Sequence, residues 1–79
     1  MKHIESKVKV NSNGDKRWFL NGKLHREDGP VFEGVDGSKE WCLNGKHHRE
    51  DGPAVEYADG TKHWYLNGKL IIVRPPRNG

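Results

Sequence analysis

Trp41-Cys42-Leu43-Asn44-Gly45-Lys46-His47-His48-Arg49-Glu50-Asp51-Gly52-Pro53 restates Trp18-Phe19-Leu20-Asn21-Gly22-Lys23-Leu24-His25-Arg26-Glu27-Asp28-Gly29-Pro30 at a distance of 23 residues. Extended to full length, residues 18–40 and 41–63 are identical at 15 of 23 positions. The shared frame is W-x-L-N-G-K-x-H-R-E-D-G-P, then a Glu, then D-G-x-K. A third copy opens at Trp64-Tyr65-Leu66-Asn67-Gly68-Lys69 and then departs from the frame. Upstream, Asn13-Gly14 takes the place of Asp36-Gly37 and Asp59-Gly60, and Val8-Lys9-Val10 that of Val31-Phe32-Glu33. The chain reads as one repeat domain, 1–79. It holds a partial unit 8–17, full units 18–40 and 41–63, and a divergent partial unit 64–79. A fixed period of this length marks a repeat architecture.

Each unit reads as strands. Short β-prone segments are bounded by turn dipeptides, and Gly or Pro interrupts every stretch long enough for a helix. Asn44-Gly45 and its equivalents suit a two-residue type I′ hairpin, because both residues tolerate positive φ. Ala58-Asp59-Gly60 suits a three-residue loop ending in a left-handed Gly. Register supports that length. A two-residue loop would set Glu33 against Glu40, whereas a three-residue loop sets Glu33 against Lys39 and Glu56 against Lys62. The predicted fold is all-β: a single-layer antiparallel meander of tandem β-hairpin repeats, with about seven to nine strands.

Alternation then assigns faces. Trp18, Leu20, Trp41, Leu43, Trp64 and Leu66 share one face with Val8, Val10, Val31 and Ala54. His25 and His48 return to that side opposite Trp18 and Trp41. This repeated face is the expected core, with Trp18, His25, Trp41, His48 and Trp64 as its structural residues and the H-R-E-D-G-P loops folded over it. The opposite face changes from unit to unit and carries the expected partner-binding residues Arg17, Phe19, Phe32, Tyr57, His63, Tyr65 and Leu70. Ile71, Ile72 and Val73 stand where the full units have His, Arg and Glu, so the C-terminal edge turns apolar. That edge suits either a symmetric homodimer or strand addition to another protein.

Composition narrows the classes. The chain has 79 residues, 32% of them hydrophobic, a net charge of +3 and one cysteine. A large enzyme core is excluded, as is a strongly basic nucleic-acid tail. The longest apolar run, Leu70-Ile71-Ile72-Val73, is too short to span a membrane. No signal-peptide pattern opens the sequence, and Cys42 alone cannot form an internal disulfide, so a cytoplasmic protein is expected.

The 23-residue period and the order tryptophan, N-G-K, His, Gly, strand, D-G, strand resemble the MORN repeat, a β-hairpin unit of that length. The resemblance covers roughly residues 8–70. A common MORN unit has Gly directly after the His, whereas this chain has Arg-Glu-Asp-Gly-Pro there. That form looks like the divergent version found in small phage and prophage proteins. The resemblance implies a non-enzymatic interaction module and, more narrowly, a phage-encoded inhibitor of a host defence protein.

Three chemistries compete with that expectation. His25-Arg26-Glu27-Asp28 and His48-Arg49-Glu50-Asp51 hold acid–base groups, but a catalytic site occurs once and this box recurs at the structural period. The structural alternative has His packing on Trp and Asp capping a turn through its own backbone. Cys42 and His47 face each other across a hairpin and suit two metal ligands, with His63 about 14 Å away and no other ligand nearby. A half-buried thiol and a surface imidazole are expected instead, with no cofactor. The third is binding of nucleic acid or an anionic nucleotide, since Lys9, Arg17, Phe19, His63 and Tyr65 interleave cations with aromatics. It ranks below recognition of a protein, because 11 acidic residues are mixed among 14 basic ones.

Overall fold

A computed structural model describes residues 6–71, and these form β-strands and turns with no helix. The strands are β1 (Lys7–Val10), β2 (Lys16–Leu20), β3 (Lys23–Leu24), β4 (Phe32–Glu33) and β5 (Lys39–Glu40), followed by β6 (Cys42–Leu43), β7 (Lys46–His47), β8 (Val55–Glu56), β9 (Lys62–Leu66) and β10 (Lys69–Ile71). All pairings are antiparallel. The order β1-β2-β4-β5-β8-β9-β10 follows the chain, with β3 on the far half of β2 and β6–β7 as a short separate ribbon. This is the expected meander. The described residues hold ten strands rather than seven to nine, because the segment continuous through Trp18 and Trp64 is broken at Trp41. On either side of that break, β5 pairs with β4 and β8 while β6 pairs with β7.

Both turn types form as their residues dictate. Asn21, Asn44 and Asn67 take φ of 52–54°, and the glycines after them are also left-handed, as a type I′ turn requires. In the other turn, Gly37 at φ 97° closes a loop whose Gly34 N–H donates to the Ser38 carbonyl. Glu33 accordingly pairs with Lys39 and Glu56 with Lys62.

The core differs from the expected one. Val31 and Ala54 are fully buried, but so are Cys42 at 2% and Val55 at 5% exposure, and these lie on the opposite face. A sheet this thin buries the centre of both faces under neighbouring hairpins, rather than one face throughout. Trp18, Trp41 and Trp64 are only half-buried. Val8 and Val10, placed in the core by alternation, are exposed because no unit precedes them among the described residues.

Candidate interaction surface

The two H-R-E-D-G-P boxes build the same clasp twice. The Arg26 guanidinium lies 4.0 Å from the centre of the Trp18 ring, and that of Arg49 3.8 Å from Trp41. A stacked, partly desolvated pair of this kind contributes about 0.5–2 kcal/mol. The other side of each guanidinium rests on backbone. A Cβ at Gly29 would stand 2.8 Å from Arg26 Cζ, and one at Gly52 2.9 Å from Arg49 Cζ. A side chain at either glycine would displace the guanidinium from its place. The guanidinium edge is also used: Arg49 Nη1 donates to the Pro53 carbonyl at 3.0 Å and to Glu56 at 3.2 Å, and Arg49 Nε to Asp51 at 3.3 Å. Arg26 repeats the bonds to Pro30 and Asp28.

The histidines stand across the hairpin from the tryptophans, His25 N–H donating to the Trp18 carbonyl and His48 N–H to that of Trp41, and they also link successive units. His25 Nδ1 accepts the Asn44 N–H at 2.9 Å, and His48 Nδ1 the Asn67 N–H at 3.0 Å. Each ring thus ties its hairpin to the next unit's turn. Since Nδ1 accepts, the ring proton sits on Nε2, which faces Glu27 or Glu50 at 3.4–3.5 Å. Asp28 and Asp51 hold the arginines instead of capping their own turn. At the other end of the sheet, Asp15 accepts the Val35 N–H, which holds its carboxyl below the usual range. Ser38 accepts the Ala58 N–H in the same place one unit later.

Cys42 and His47 are cross-strand partners, as read from the hairpin. The thiol is fully buried rather than half-buried, and burial, with Glu40 nearby, pushes its pKa up to about 11. His47 Nε2 pairs with Glu40 Oε1 at 3.0 Å, and its ring lies 5.1 Å from that of Tyr65. Among the described residues no three His, Cys, Asp or Glu side chains come together as metal ligands. A protonated buried thiol is inert. Ellman's reagent near neutral pH is expected to leave Cys42 unmodified in the folded protein and to titrate one thiol after denaturation. Labelling of the native protein at the unfolded rate would show that the central hairpin opens.

On the variable face, register sets Lys9, Arg17, Phe32, Glu40, Val55 and His63 in one row of successive cross-strand partners. The Arg17 guanidinium lies 4.7 Å from the Phe32 ring and Lys9 Nζ 5.6 Å from that of Phe19. Tyr57 meets His63 edge-on at 5.8 Å. Tyr65 pairs with Leu70 on this side, whereas Ile71 pairs with Trp64 and so belongs to the opposite face. Ile72 and Val73 lie outside the described residues.

A shallow depression of about 390 Å³ brings Phe32 and Tyr57 together with Val35 and Ser38, and Asp15, Asp36 and Glu40 give it an acidic rim. Val35, 67% exposed, escaped the sequence reading. Its signal was present: a β-branched apolar residue at a loop tip where the flanking units have Ser12 and Ala58. A second groove, of about 750 Å³, runs between the two clasps on the tryptophan face. Among the described residues no helix is long and apolar enough to cross a membrane. No family model, curated protein or solved structure matches the chain.

Proposed function

We propose that this protein is a non-enzymatic β-repeat module that binds another protein through its variable face. The observation that carries this reading is the depression beside half-buried Phe32, where the non-repeated Val35 and Tyr57 stand exposed among Asp15, Asp36 and Glu40. The repeated box supports it from the other side, since its His, Arg and Asp are all engaged in holding the fold. An acidic rim repels phosphate and suits a protein surface that offers apolar and basic groups. Lys9 and Arg17, the cations on which a nucleic-acid reading depends, already lie over phenyl rings. The resemblance to MORN-like phage proteins gives the particular form of the proposal: a cytoplasmic inhibitor of a host defence protein.

The test is capture from extract of the producing cell on immobilised protein, with bound protein and nucleic acid both measured. A defined protein is expected on the native chain. Capture should fall about tenfold or more with Val35→Asp or Tyr57→Ser if these are central contacts, while the melting temperature stays put. Recovery of nucleic acid that is lost on raising salt, with no such protein, would overturn the reading.

A further inference from the structure

The two unit junctions inside the chain are built alike. In the strand half, Lys16 and Arg17 pair with Glu33 and Phe32, and Trp18 N–H donates to the Val31 carbonyl at 2.9 Å. One unit later, Lys39 and Glu40 pair with Glu56 and Val55, and Trp41 N–H donates to the Ala54 carbonyl at 2.7 Å. In the hairpin half, Gly45 N–H donates to the Leu24 carbonyl and Gly68 N–H to that of His47, both at 2.8 Å.

Each end of the array presents one half of this junction. β1 pairs with β2 on one side and with no strand on the other among the described residues. β9 pairs with β8 through Lys62 and His63, but on its other flank β10 covers only Trp64 to Leu66. The flank of Lys62 and His63 is therefore open among the described residues. Both ends are also apolar. Of the seven exposed large hydrophobic residues among those described, five lie on these terminal strands: Val8, Val10, Leu66, Leu70 and Ile71. Val8 is 48% exposed, whereas Val31 and Ala54, at the same place in the unit, are completely buried by their junctions.

We infer that copies of this chain associate head to tail, β1 of one copy pairing with the open flank of β9 in the next. The in-chain register then continues across the contact. Lys62 faces Val10, His63 faces Lys9, Trp64 N–H donates to the Val8 carbonyl, and Gly22 N–H meets the Leu70 carbonyl. The occupant is a second copy because the contact continues a junction the chain already makes twice, and because each end supplies the half that the other lacks. Ile71 stands where His25 and His48 accept an Asn N–H, so this junction exchanges one hydrogen bond for apolar burial. The contact is heterologous, and so it propagates rather than stopping at a symmetric dimer. This inference is independent of any partner on the variable face.

Light scattering across a concentration series tests it with two blocked ends. Val10→Lys sets a lysine against Lys62 across the junction, and Ile71→Lys blocks the other end. Native protein is expected to grow in mass beyond a dimer as concentration rises. Each variant alone should be monomeric with an unchanged circular dichroism spectrum, and an equimolar mixture should form a 1:1 dimer and nothing larger. Val10→Glu restores the Lys–Glu pairing of the internal junctions and should tighten association about two- to fivefold. A native chain that stays monomeric at high concentration would overturn the inference. Dimerisation of Val10→Lys by itself would overturn it in favour of tail-to-tail pairing through β10.

Discussion

Replacing Trp41 with Ala is expected to cost about 3 kcal/mol, the low end of the range for deleting a packed aromatic ring. The low end applies because Trp41 is half-buried rather than enclosed. The ring nevertheless holds more than its own area. Arg49 lies on it at 3.8 Å, and through Arg49 it organises Asp51, the Pro53 carbonyl and Glu56. A domain of this size has a total stability of roughly 4–12 kcal/mol, so the loss is a large share of it. Urea unfolding followed by far-UV circular dichroism measures it directly. Tyr65→Ala, by contrast, removes a half-buried ring that lies 5.1 Å from that of His47 and carries no stacked guanidinium, and should cost well under half as much. A Trp41→Ala protein with native stability would mean that the tryptophan face is not where the fold is held.

The second large effect is expected at a glycine. Gly52→Ala places a methyl 2.9 Å from Arg49 Cζ, with Nη1 and Nε at 3.1 and 3.2 Å. Either the guanidinium leaves Trp41 or the Asp51–Pro53 loop shifts. Overpacking of this kind costs about 1–3 kcal/mol. Backbone strain is not the cause, since Gly52 lies outside the left-handed region that Gly45 and Gly68 occupy. Gly29→Ala should behave in the same way against Arg26.

Turns and register were legible in the sequence because short-range chemistry decides them. Asn-Gly demands positive φ at two adjacent positions, and the Lys–Glu pairings exclude the shorter loop. Faces were only half legible. Alternation placed Val31 and Ala54 correctly, but Cys42, expected half-buried, is enclosed, since alternation carries no information on which neighbouring hairpin will cover the far side of a thin sheet. The clasp was not legible as such. Arg26 reaches Trp18 through a loop, and no periodic pattern relates the two. The available clue was a glycine three residues after each arginine, which reads equally well as a turn residue until the guanidinium is seen against it. Val35 was not legible because the alternation of a strand does not extend to a loop tip.

The recurring His-Arg-Glu-Asp-Gly-Pro segment acts as a structural clasp in which tryptophan, guanidinium and glycine backbone are stacked. A double-mutant cycle on Arg49 and Gly52, read by urea unfolding, tests that most directly. Arg49→Ala removes the group with which the new methyl collides. In that background Gly52→Ala is expected to be neutral or to stabilise by about 0.4–1 kcal/mol, as an unstrained Gly→Ala change does. An equal cost for Gly52→Ala with and without Arg49 would contradict the clasp.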